Sequence, residues 1–163
     1  MTESQKSGAT IARPLPGFVE FVVLMAITIG LVALSIDNLL PAFGPIATDY
    51  GIEDGNRMQL LIYVFMIAFG LMQIVYGPLA DSFGRKRILM LGLSIYAIGT
   101  VMAIFADSYD HLLIARFVQG LGAAAPRVLT IAITRDCFEG REMARVMSFV
   151  MMIFIIVPVF APA

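Results

Sequence analysis

Long apolar runs recur along this chain almost without interruption, and nothing else in the sequence restricts its fold as strongly. Five are evident: Phe18 to Ile46, Met58 to Ala80, Ile88 to Ala106, Leu112 to Thr134 and Val146 to Ala163. An α-helix needs about 20 apolar residues to cross the hydrocarbon layer of a bilayer, where no water can satisfy backbone N–H and C=O groups. Repeated runs of that length, joined by short polar loops, predict an all-α, polytopic membrane helix bundle. A soluble domain is excluded by 60% hydrophobic and 14% charged residues and a mean hydropathy of +0.90. The last run contains Pro158 and Pro162 and has no polar flank. The expectation is therefore four complete spans and part of a fifth, a piece of a longer reading frame. Residues 1–17, polar and carrying Pro14 and Pro16, read as a tail, and residues 18–163 as the membrane bundle.

The placement of charge predicts orientation. Lys6 and Arg13 lie in the tail, Arg85, Lys86 and Arg87 in the second loop, and Arg135, Arg141 and Arg145 in the fourth, whereas the first and third loops hold Arg57 against five acids. Cytoplasmic loops keep the excess of Lys and Arg, which makes the N-terminus cytoplasmic. The net charge of −1 offers no basic face for phosphates, so a nucleic-acid partner is not expected. Cys137 is the only cysteine and His111 the only histidine, so the sequence implies no disulfide, no metal cluster and no cofactor. No combination of nucleophile, base and orienting group points to an enzyme.

Inside the spans, a few polar residues carry the chemistry. A carboxylate at the middle of a span costs roughly 3 kcal/mol on insertion scales, so Asp37 is a functional candidate by default. It shares a helix face with Ala26, Gly30 and Ala33, a small-residue surface suited to close helix packing or a cavity. Arg116 and Arg127 are the cations within a predicted span. Eleven residues apart, they return to within about 20° of one helix face, with Gln119, Gly120 and Ala123 nearby. Such a face can line a polar cavity or pair with an acid. Small residues also align as Gly70, Gln73, Gly77 and Ala80, and as Gly92, Gly99 and Ala103.

Three motifs point further. The loop Gly77-Pro78-Leu79-Ala80-Asp81-Ser82-Phe83-Gly84-Arg85-Lys86-Arg87 resembles the signature of the major facilitator superfamily between its second and third helices, with Ser82 where a basic residue is usual. Leu112, Arg116, Gln119, Gly120, Gly122, Ala123 and Ala124 resemble the superfamily pattern of the fourth helix. The segment Ser35-Ile36-Asp37-Asn38-Leu39-Leu40-Pro41 is similar to the acidic motif of proton-coupled drug antiporters, above all those of the bicyclomycin-resistance type.

That resemblance implies the N-terminal part of a twelve-helix fold whose C-terminal half is a missing partner. It implies a multi-pass protein of the bacterial inner membrane exporting small amphipathic compounds in exchange for protons. Asp37 and Arg116 would couple protons, Gln119, Gly120 and Arg127 would line the polar face, and Gly77, Asp81, Gly84, Arg85 and Lys86 would form a cytoplasmic gating loop. Two alternatives share these features: a proton-coupled importer or facilitator of a metabolite, and an incomplete membrane protein inactive without a partner half.

Overall fold

In the computed structural model of the protein, residues 18–52 and 54–160 are described, so the expected tail at residues 1–17 and the last residues, 161–163, lie outside them. The described residues form six α-helices: α1 Phe18–Asp37, α2 Leu39–Asp49, α3 Gly55–Phe83, α4 Arg85–Ile104, α5 Tyr109–Cys137 and α6 Gly140–Phe160. By length and composition α1, α3, α4 and α5 are apolar enough to cross a membrane, and α6 occupies the place of the expected fifth run.

The first run, expected as one segment from Phe18 to Ile46, is two helices meeting at Asn38. The amide of Asn38 still donates to Leu34 O at 3.1 Å. Four residues after Asp37, however, Pro41 has no N–H to offer the Asp37 carbonyl, and the ladder loses that bond. The break therefore falls directly after Asp37, the acid singled out by the sequence.

The other helices start and stop where local chemistry dictates. The Asp54 carboxylate caps α3 by accepting from the Asn56 amide at 2.9 Å, and the Ser108 hydroxyl caps α5 by accepting from the His111 amide at 3.3 Å. Between α3 and α4 a single residue, Gly84, turns the chain at φ +92°, a left-handed conformation that side chains resist. At 29 residues each, α3 and α5 are about 43 Å long, against about 30 Å for α4.

The heart of the bundle is α5, packed between α3 and α4. Gly92 and Gly99 of α4 and Gly122 of α5 leave no room for a Cβ: Gly92 faces Ala125, Gly99 faces the Gln119 backbone, and Gly122 faces the backbone of Tyr96 and Gly92. Without a hydrophobic effect to separate protein from lipid, this close approach is what van der Waals packing requires. On α3 the aligned small residues behave differently. Ala80 is buried, while Gly70 and Gln73 are exposed and nothing lies within 4 Å of a Cβ placed at Gly70 or Gly77. A second cluster joins α1 to α6 through Phe21, Val22, Met25 and Ile29 against Val146 and Val150.

The two ends of the bundle are tied differently. At one end the Tyr50 hydroxyl donates to Ala106 O at 2.6 Å, and the Tyr109 hydroxyl donates to Arg57 O while the Arg57 guanidinium lies 5.9 Å from the Tyr109 ring centroid. At the other, Phe21 meets Phe138 edge to face, and the turn at Gly84 approaches the C-terminus of α5 through Arg85.

Candidate functional site

Two cavities meet α1 on different faces. The first, of about 330 Å³, is lined by Leu31, Leu34 and Ser35 of α1, Asn38 at the junction with α2, Tyr96 of α4, and Arg116 and Gln119 of α5. Leu34, Ser35 and Asn38 follow Leu31 by three, four and seven residues, so the four positions form one helical stripe. Arg116 donates from Nη1 to the Ser35 carbonyl at 3.2 Å, and the Ser35 and Tyr96 hydroxyls lie 2.5 Å apart, where either can donate. The Gln119 amide donates to Thr100 Oγ1 at 2.9 Å. Arg116 Nε and Gln119 Oε1 are buried with no partner among the described residues. An unpaired donor and an unpaired acceptor, three residues apart on α5, make this an intrinsically polar pocket, because burying either one unsatisfied is costly.

The second cavity, of about 290 Å³, is lined by Val32, Ala33 and Ile36 of α1, Phe69 and Gln73 of α3, Arg127 of α5 and Phe154 of α6. The Arg127 guanidinium lies 5.7 Å from the centroid of the Phe154 ring. Between the two arginines, Ala123 is buried against Val32 of α1 and Phe65 of α3. The face that the sequence presents as one polar stripe is thus divided by an apolar contact. Gly120 belongs to that divide: a Cβ there would collide with the Phe65 carbonyl of α3, so this glycine serves helix approach and lines neither cavity.

Asp37 is half-buried at the end of α1, while Ala26, Gly30 and Ala33, on its face, are buried. It forms no ion pair with Arg116 in this conformation. Instead the Arg116 guanidinium reaches the backbone carbonyl of Ser35, two residues before Asp37.

At the opposite end a third cavity, of about 260 Å³, is lined by Gly77 and Asp81 of α3, Arg85 of α4, and Val128, Ile131, Ala132 and Arg135 of α5. Arg85 links three helices. Its Nη2 lies 3.1 Å from Asp81, and the same guanidinium pairs through Nε and Nη2 with both carboxylate oxygens of Asp136. Such a fork on a carboxylate fixes orientation as well as charge. Lys86 is exposed and forms no ion pair among the described residues, and Gly84 supplies the turn that carries Arg85 to Asp136.

Four residues of these sites were not candidates from sequence. Asp136 sits in the last turn of α5 between Arg135 and Cys137, and nothing local distinguishes it. Tyr96 carries a signal in its neighbours, since Gly92 and Gly99 flank it on one face of α4 and bring its hydroxyl close to α1 and α5. Gln73 read as part of a packing face, and Phe154 has the look of any lipid-facing aromatic.

Residues 25–163 match the family profile described as Major Facilitator Superfamily. The chain belongs to the major facilitator superfamily. Within it, the chain is 34% identical over 143 residues to a protein of Haemophilus influenzae named bicyclomycin resistance protein homolog, covering 87% of this chain and 35% of that one. It is 32% identical over 127 residues to multidrug resistance protein MdtL of Klebsiella pneumoniae, covering 78% and 32%. It is 27% identical over 139 residues to multidrug resistance protein D of Escherichia coli, covering 85% and 34%. The chain spans about a third of the length of these superfamily relatives.

Proposed function

We propose that this chain is the N-terminal portion of a secondary transporter that exports small amphipathic compounds in exchange for protons. The observation that carries this reading is the juxtaposition at the break in the first span. A half-buried carboxylate, Asp37, ends α1 two residues from the carbonyl that holds the half-buried Arg116. A displacement of α1 against α5 would change whether the Asp37 carboxylate faces that guanidinium, and a carboxylate inside a span that can gain and lose a cationic partner is the kind of group a proton relay uses.

The direction of transport draws support from the relatives, several of which are named for drug resistance. Positive charge in the loops around Arg85 and Arg141 supports a cytoplasmic N-terminus in the bacterial inner membrane. The cluster of Asp81, Arg85 and Asp136 then lies on the cytoplasmic side and acts as the gating loop. In superfamily transporters alternating access is one half rocking against the other, so the C-terminal half supplies the facing wall of the path.

The test is transport by the full-length protein in everted vesicles, with a pH-sensitive dye reporting the proton gradient. Addition of an exported compound should dissipate the gradient in the wild type. The Asp37→Asn protein should still bind a neutral substrate but leave the gradient intact. Wild-type proton movement in that variant would sink the assignment of Asp37.

A further inference from the structure

Arg127 stands in the middle of α5, 18 residues after its first residue and ten before its last, and it is the only charged residue that lines the second cavity. It forms no hydrogen bond or ion pair among the described residues; its guanidinium lies against the Phe154 ring. A guanidinium in the hydrocarbon layer without an anion is expensive, and a π face offsets only part of that cost. The planar fork of N–H donors therefore remains available, in a chamber whose other walls are largely apolar.

The first cavity differs on this point. There Arg116 is held by the Ser35 carbonyl, and its guanidinium is partly committed to the protein. Around Arg127 the fork is free, Phe69 and Phe154 provide aromatic surface, and the Gln73 amide offers both N–H donors and a carbonyl acceptor. A carboxylate matches a guanidinium fork with two parallel hydrogen bonds, which no neutral group of similar size can reproduce.

From this we infer that the second cavity is a binding site for small aromatic carboxylates, with Arg127 holding the acid and Phe154 and Phe69 the ring. The inference rests on the transporter reading above and adds to it a substrate class and a residue that selects it. Selection works by difference: a neutral isostere entering the cavity leaves the guanidinium unpaired and keeps only the aromatic contacts.

The test compares two fluorescent probes of nearly equal shape, 2-naphthoate and 2-naphthamide, binding to the purified full-length transporter in detergent. The wild type should bind naphthoate at least about tenfold more tightly than naphthamide. Arg127→Gln should weaken naphthoate roughly 10- to 100-fold, the range expected for a charge-assisted hydrogen bond, and leave naphthamide within about twofold. Arg127→Lys, which keeps the charge and loses the fork, should fall between them and guards against a glutamine variant that fails to fold. Equal affinity for both probes, or equal loss of both in Arg127→Gln, overturns the inference. So does failure of the wild type to bind naphthoate, which would mean that a carboxylate elsewhere in the transporter occupies the fork.

A vesicle assay keeps this outcome separate from the proposed activity. Naphthoate bound through Arg127 with no proton-driven export of any compound would refute the exchange reading and leave the site standing. Proton-driven export of neutral compounds with no Arg127-dependent naphthoate binding would refute the site alone.

Discussion

Arg116 and Arg127 share one face of α5 yet line different cavities, because Ala123 between them packs against Val32 of α1 and Phe65 of α3. Eleven residues of helix separate them by about 16 Å, beyond the distance at which substitutions usually couple. Arg116→Gln should therefore disturb proton coupling and Arg127→Gln ligand selection, and the double variant should show the sum of the two losses within about 0.5 kcal/mol. Binding of 2-naphthoate measured at two pH values across the four proteins checks this. A large deviation from additivity would mean that the two cavities act as one.

Ser35 and Tyr96 present a smaller test of the first cavity. Their hydroxyls face each other at 2.5 Å, and the Ser35 hydroxyl also donates to the Leu31 carbonyl at 2.7 Å. Removing the Ser35 hydroxyl therefore leaves Tyr96 half-buried without this partner, at a cost of about 1 kcal/mol, whereas removing the Tyr96 hydroxyl leaves Ser35 its backbone acceptor. Ser35→Ala should lower the melting temperature in detergent more than Tyr96→Phe, and the double substitution should cost less than the sum. The Arg116 bond goes to the Ser35 backbone, so Ser35→Ala should leave the proton response unchanged.

The Arg85 cluster predicts a separation of stability from conformation. The Arg85, Asp81 and Asp136 side chains are 29%, 66% and 49% exposed, and ion pairs so open to solvent contribute about 0–1 kcal/mol. Asp136→Asn or Asp81→Asn in the full-length protein should barely move the melting temperature. Each should slow turnover and shift the accessibility of labels placed on the two sides, with substrate affinity largely kept. Raising the ionic strength should reproduce part of the effect in the wild type, since salt screens exposed charges.

A fourth expectation follows from the α4–α5 contact. Gly92→Ala and Gly122→Ala force a methyl group into Ala125 or into the Tyr96 backbone, and overpacking of this kind costs about 1–3 kcal/mol. Gly70→Ala, with nothing within 4 Å, should be neutral or stabilising through helix propensity. Thermal unfolding followed by a thiol-reactive dye, for which Cys137 is the only site in this chain, ranks the three.

Hydropathy made the helices legible because lipid imposes one rule on every residue it touches. The same rule explains the errors at the ends. Apolar runs stop at the edge of the lipid, but α3 continues through Asn56 and Arg57 at one end and Asp81 to Phe83 at the other, held by the Asp54 cap and ended at Gly84. Pro41 held the information for the break at Asn38, four residues downstream of the bond it abolishes. The motifs single out Asp37, Arg116 and Asp81, but not their surroundings. Whether Ala123 lines a polar stripe or closes it depends on which helices cross α5 at that level, a contact between residues some 60 to 90 positions apart. No local pattern in sequence encodes that crossing, and for the same reason Phe154 could not be told from a lipid-facing ring.

The unequal helices have a consequence for the membrane itself. With about 43 Å of length in α3 and α5, these two can lean or extend their ends among the headgroups as the bilayer thickens or thins. At about 30 Å, α4 has no such reserve, for it matches the hydrocarbon layer with Arg85 at one margin and the exposed Phe105 just past the other. Of the three helices that meet at Arg85, the shortest would thereby set the bilayer thickness at which Arg85 can reach Asp136 without dragging an aromatic ring into water. Lipid chain length would then act on the ion-pair cluster through α4.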